Sequence, residues 1–112
     1  MQIAVRFLVP LQAVNNSTHI TEALEQASRS VLGADNIDLI DRPSMGGEDF
    51  SVYLEQVPGA LLRLGCAAPG AQAPFLHSPL FDLDENCLAI GAKILMRASL
   101  LLSQSLSHSD KE

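Results

Sequence analysis

The sequence predicts an α/β fold, a partial mixed sheet with packed helices, on three observations. Short β-branched or apolar runs alternate with segments of helical period, in the order strand, helix, strand, helix, strand, loop, helix. Proline or glycine marks most of the joints between them. The order allows a sheet of about three strands, small for this class, so part of the sheet is expected to come from elsewhere.

The elements follow in chain order. Ile3 to Val9 is apolar and partly β-branched, a strand that Pro10 should end. Asn15-Asn16-Ser17-Thr18 offers several helix caps. Beyond it Ile20, Leu24, Ala27 and Val31 repeat at helical spacing, with Glu22, Glu25, Gln26 and Arg29 between them and Gly33 as the stop. The spacing predicts an amphipathic helix of about four turns.

Asn36 to Ile40 reads as a short strand, and Glu48 to Gln56 as a short helix ended by Val57-Pro58-Gly59. Ala60 to Gly65 is a compact apolar run suited to a buried strand, and residues 67–74 are a loop by composition. Asp82 and Glu85 have capping-box spacing ahead of a helix from Cys87 to about Leu102. That helix is apolar nearly all round, with Lys93 and Arg97 on one side, so it should be packed on more than one face. The polar tail from Ser103 to Glu112 should fray.

Composition bounds the partners. Apolar residues make up 47% of the 112, which is enough for one core and excludes a disordered body. A net charge of −6 and scattered basic residues argue against nucleic acid and against an anionic membrane surface. The two cysteines, Cys66 and Cys87, form no C-x-x-C or disulfide framework, which points to a reduced, cytoplasmic setting. Met1 to Val14 lacks a basic leader region and a small-residue cleavage site, so it does not read as a signal peptide. The 88–102 helix comes nearest to a membrane span, but Lys93 and Arg97 interrupt it.

Two stretches can carry chemistry. His77 sits in Leu76-His77-Ser78-Pro79, where the proline biases Ser78 away from helix and fixes an extended loop. A neutral imidazole there can bind zinc or manganese, with a carboxylate to set its tautomer; the plainer alternative is a surface or capping histidine. No second ligand sits at metal-binding spacing from it. In Ser44-Met45-Gly46-Gly47-Glu48-Asp49-Phe50, backbone N–H groups around Gly46, Gly47 and Glu48 can face an anion such as a substrate carboxylate. Glu48 and Asp49 have an equally good role complementing the helix dipole. A Cys66/His77 nucleophilic pair is a third reading, weighed against two structural thiols. Asp82, Asp84 and Glu85 read as capping residues, one of which could orient His77; His19 and His108 receive no role.

Together these stretches are more specific than either alone. Ser44 to Phe50, then Val57-Pro58-Gly59-Ala60 with Leu64-Gly65, then Leu76 to Pro79 with Phe81-Asp82 and Asp84-Glu85, resemble metallopeptidase family twenty. These are the aminoacylase and carboxypeptidase-G-like amidohydrolases; the hippurate hydrolases, N-acyl-amino-acid amidohydrolases and indoleacetyl-amino-acid hydrolases are the nearest branch. The likeness runs from Asn15 through Ile90-Gly91-Ala92.

The resemblance implies a two-domain enzyme with a two-metal centre and an inserted lid. In it, residues 1–14 correspond to the strand leaving the lid, 15–105 to the closing part of the zinc-peptidase-like catalytic domain, and 106–112 to a polar tail. The histidine matching His77 binds a metal in that family, and the segment matching Gly46, Gly47 and Glu48 lies beside the substrate. The other ligands, the general base and the lid residues have no counterpart here, so no catalytic residue is assigned. The expectation is a hydrolase-family fragment acting on N-acyl amino acids only as part of a larger enzyme, and inactive alone. The rival is a non-catalytic remnant, or a docking module that joins an N-terminal part or self-associates.

Overall fold

Helix α1, Thr18–Leu32, forms where the apolar period of 3.6 begins, and its ends are set by short-range bonds. The Ser17 carbonyl accepts both the N–H and the Oγ1 hydroxyl of Thr21, each at 2.9 Å. Gly33 closes the helix with φ 84° and ψ 155°, a conformation open to glycine alone, and donates its N–H to the Arg29 carbonyl. A 3-10 turn, Ala34–Asn36, follows, and Asn36 Nδ2 returns 2.8 Å to the Leu32 carbonyl. The computed structural model describes residues 1–6, 11–72 and 75–109. The second half of the predicted 3–9 strand with Pro10, the end of the 67–74 loop and the last three tail residues lie outside the described residues.

Helix α2, Phe50–Leu54, is shorter at both ends than the spacing predicts. Its Phe50 and Leu54 fold back over Gly59, where a Cβ would stand 2.7 Å from Leu54 and 3.3 Å from Phe50. A larger residue at this position would have to push the ends of those two side chains aside. Helix α3, Asn86–Ser109, starts near the expected place but runs through much of the stretch expected to fray. Part of the reason lies in its partner: His19 Nε2, at the start of α1, lies 3.2 Å from Ser105 Oγ, so the far end of α3 is tied down.

The core is the seam between α1 and α3. Leu24, Ala27, Ile94 and Ala98 are buried at its centre, with Ala23 buried nearby. Three alanines in so small a core let the two helices approach closely. Residues 60–66 lie across the pair with burial alternating along the chain, Ala60, Leu62, Leu64 and Cys66 inward and Leu61, Arg63 and Gly65 outward. Period two is the mark of extended backbone. Gly91 makes room for it, since a Cβ there would meet Leu64 at 3.2 Å.

The expected mixed sheet is the main difference. Among the described residues there is no strand, so the helical layer stands without its ladder. Ile37 is extended (φ −118°, ψ 116°) and 60–66 alternates as a strand does, but neither has a neighbouring strand to bond. Their sequence propensity is spent on packing against helices; pairing needs backbone within about 4.8 Å, which the described residues do not supply. The radius of gyration is 17.9 Å, against about 13 Å for a compact chain of this length. The accessible surface is 9899 Å², against about 6,000 Å² for a compact 12.0 kDa monomer. The chain is thus less compact than its length allows.

Candidate functional site

His77 is placed by two successive turns. The Ser78 N–H donates 2.8 Å to the Phe75 carbonyl, and the Phe81 N–H donates 3.0 Å to the Ser78 carbonyl. Pro79 takes the second position of the latter turn, which its fixed φ favours, and the Ser78 hydroxyl accepts the Leu80 N–H at 3.1 Å. The histidine is thus held on a stiff corner, with its side chain exposed. Phe75, Leu76 and Leu80 beside it are also exposed, at 92%, 71% and 79%. The excursion that carries them closes where Asp84 donates its N–H 2.8 Å to the Cys66 carbonyl.

The acidic start of α3 caps the helix two residues later than its spacing predicts. Asp84 Oδ1 accepts the Asn86 N–H at 3.0 Å and Asn86 Nδ2 at 2.8 Å. Among the described residues Asp82 accepts only the neighbouring Leu83 N–H. No capping-box bond joins Asp82 and Glu85, because Asp84, already anchored through its N–H to Cys66, stands closer to the first free N–H groups of α3.

Gly46, Gly47 and Glu48 lie on an exposed, bent segment before α2. Gly47 lies under Leu11, whose Cδ2 would be 2.7 Å from a Cβ there. Glu48 is committed locally: its Oε1 accepts the Phe50 N–H at 3.2 Å and its carbonyl accepts the Ser51 N–H at 3.1 Å. That is the helix-start role its position also allows. Ser51 itself is 2% exposed, and its buried Oγ finds no hydrogen-bond partner among the described residues. Nothing in its sequence context flagged it.

Cys66 is half-buried and Cys87 buried, both as free thiols. Among the described residues no three His, Cys, Asp or Glu side chains gather into a group that could hold a metal ion. The residues described here therefore do not fit a metal centre by themselves. His77 contributes one exposed imidazole.

Two surface cavities stand out among the described residues. One, of about 570 Å³, is lined by Ala67, Ala68, Ala71 and Gln72 on one side and by Asp82 to Glu85 on the other. The second, of about 520 Å³, lies between residues 36–40 and 60–65 over Leu24, Leu32 and Ile94. Neither is lined by His77, Gly46, Gly47 or Glu48. The sequence reading gave Asn16 only a possible capping role, whereas the structure sets it in the lining of the second cavity. Its Oδ1 accepts the Leu61 N–H at 2.9 Å and its Nδ2 donates to the Leu61 carbonyl at 3.1 Å. One side-chain amide here does the work of a neighbouring strand. An amide just before a helix, facing an apolar extended run, was the available signal.

Helix α3 carries a second apolar stripe opposite the core: Leu88, Leu95 and Met96 are 63%, 58% and 62% exposed. The expectation that it packs on more than one face is met on one face only. Asn86–Ser105 is long and apolar enough to cross a membrane by length and composition, with a mean hydropathy of 1.3. The Ile94 and Ala98 face is packed on α1, and Lys93 and Arg97 fall within the stretch.

Comparison with known proteins sets these features in a larger frame. Residues 3–100 match the profile of peptidase family M20/M25/M40. A Synechocystis protein bearing a hydrolase name is 35% identical over 96 residues, which is 85% of this chain and 24% of that protein. A Rhodococcus jostii protein bearing a glutamate–cysteine ligase name is 38% identical over 99 residues, 88% of this chain but 12% of that protein. The N-acetylcysteine deacetylase of Bacillus subtilis is 29% identical over 92 residues, 82% of this chain and 22% of that enzyme. The chain spans about a quarter or less of the length of these relatives. No solved structure matches the chain at the same stringency.

Proposed function

The chain belongs to peptidase family M20/M25/M40, and we propose that it is one segment of a metal-dependent amidohydrolase cleaving the amide bond of N-acyl amino acids. The observation that carries this is the match over residues 3–100, which takes in both the Ser44 to Phe50 and the Leu76 to Asp82 stretches. The deacetylase of Bacillus subtilis supplies the substrate class, an acylated amino acid.

In this reading His77 is one ligand of a zinc or manganese centre whose other ligands come from the rest of the enzyme. Its stiff, exposed corner suits that role: the imidazole is presented without needing to be drawn out of a core. Gly46, Gly47 and Glu48 form the edge of the substrate site, where small residues let a substrate carboxylate come near backbone N–H groups. Residues 1–14 lead in from a lid, and 15–105 close the catalytic α/β domain, with 37–40 and 60–65 as strands of its mixed sheet. The setting is cytoplasmic, in keeping with two free thiols.

Amide hydrolysis needs a held metal, an activated water and a base to move its proton. A single imidazole does not assemble these, so the isolated chain is inactive. The test is hydrolysis of N-acetylcysteine and N-benzoylglycine by the pure chain, with and without zinc or manganese. No turnover above background is expected, and metal-dependent turnover by the chain alone would overturn the reading. A docking role in the same enzyme is favoured by the chain's open surface of 9899 Å².

A further inference from the structure

Cys66 and Cys87 reach the same corner of the molecule from opposite ends of the excursion that carries His77. Cys66 ends the inward row of Ala60, Leu62 and Leu64. Cys87 is buried at the start of the α3 face that continues through Gly91, Ile94 and Ala98, positions spaced to share one side of a helix. The two rows touch, since a Cβ at Gly91 would stand 3.2 Å from Leu64 Cδ2. From Leu64, two residues of extended chain lead to Cys66, a step of about 7 Å. From Gly91, one turn back along α3 leads to Cys87, a step of about 6 Å. The steps run in the same direction, because the Cys66 carbonyl accepts the Asp84 N–H at 2.8 Å just ahead of α3. Asp84 in turn accepts the Cys87 N–H at 3.0 Å through its own carbonyl. One residue thus holds the backbones of both cysteines.

We propose that Cys66 and Cys87 form a reversible disulfide when a low-molecular-weight disulfide such as oxidised glutathione is present. Both are free thiols in this structure. Half-buried Cys66 is the sulfur that the oxidant reaches, and Cys87, 9% exposed, is the one that resolves. The Cys66 thiolate attacks one sulfur of the small disulfide, forming a mixed disulfide and releasing one small thiolate. The Cys87 thiolate then attacks the Cys66 sulfur, closing the protein disulfide and releasing the second. The two protons leave Cys66 and Cys87 and end on the released thiols, so two protein thiols are oxidised as one small disulfide is reduced. The bond makes covalent the closure that the Asp84–Cys66 hydrogen bond provides. The stretch that carries His77 becomes a ring whose state follows the thiol poise of its surroundings, the transient use that disulfides find in a reducing compartment. The bond is a property of this chain alone, whatever larger enzyme surrounds it.

The test incubates the whole folded chain with oxidised glutathione, quenches with acid, and reads intact mass and free thiols. The expected wild-type product is a monomer lighter by two hydrogen atoms, with no free thiol, that dithiothreitol returns to its starting mass. Its thermal midpoint should rise by about 5 °C or more, because the ring restricts the unfolded chain. Cys87→Ala should stop at a single glutathione adduct on Cys66. Cys66→Ala, left with only the buried thiol, should react about tenfold more slowly or less. Circular dichroism shows whether each variant keeps its helices, and the wild-type result decides the matter if one does not. A wild-type chain that keeps both thiols, or that stops at a stable adduct on Cys66, would overturn the pairing. So would covalent dimers in place of the monomer, or a bond that forms only after urea has unfolded the chain.

Discussion

The α1–α3 seam and the two loops that hold His77 and the Gly46–Glu48 stretch come from one short chain, but they are finished to different degrees. At the seam Ala27 and Ile94 are 0% and 1% exposed, and Asn16, His19 and Asp84 tie its edges with hydrogen bonds. In the loops the local turns are just as well bonded, yet Phe75, Leu76, Leu80 and Met45 stand in solvent. The α1–α3 seam is closed by contacts within this chain. The candidate site is shaped locally, and among the described residues its apolar side chains stay uncovered. Short-range turns can prepare a loop; only long-range packing can make it a site.

If that contrast is right, stability should follow the seam and ignore the site. The largest effect is expected from Ile94→Ala, which leaves a cavity between the helices and should cost about 3 kcal/mol, read from urea unfolding followed by circular dichroism. Asn16→Ala breaks both bonds to Leu61 and should cost about 1–2 kcal/mol, less than two ordinary bonds at their strongest because the site is exposed. Asn16→Asp keeps the acceptor for the Leu61 N–H and loses the donor, so it should fall between wild type and alanine. Asp84→Ala removes the α3 cap and should cost about 1 kcal/mol. Glu25→Gln, which breaks the 2.7 Å pair with Arg29 on the face of α1, should cost only about 0.3–0.5 kcal/mol. His77→Ala should shift unfolding by less than about 0.5 kcal/mol. A large loss at His77, or none at Ile94, would break the distinction between the two regions.

Much of the scaffold could be read from residue order. The Ile20, Leu24, Ala27, Val31 period and Gly33 placed α1 to within two residues, because propensity, capping and burial agree there. The run 60–65 was recognised as extended, but its sheet was not found: a strand needs a partner, and pairing is a property of distant chain that local pattern does not report. The cap of α3 was misplaced by two residues because Asp82, Asp84 and Glu85 all have plausible spacing, and the Asp84–Cys66 bond that decides between them is long-range. The length of α3 was underestimated for the same reason, since His19 and Ser105 lie 86 positions apart. The motif around His77 was legible as a stiff loop from Ser78 and Pro79 alone. Its family was legible from the combination of motifs, and the match over residues 3–100 agrees. What the histidine does was not, because one ligand on an exposed corner has the same local sequence whether or not a metal centre forms around it.

The most direct test of the central claim is calorimetry of the isolated chain with zinc and with manganese, on wild type and His77→Ala. A closed α1–α3 seam beside an uncovered His77 loop predicts only weak binding, with the same isotherm for both proteins. Tight binding of one equivalent by the wild type, lost in His77→Ala, would contradict it: the chain would then complete a metal site without help.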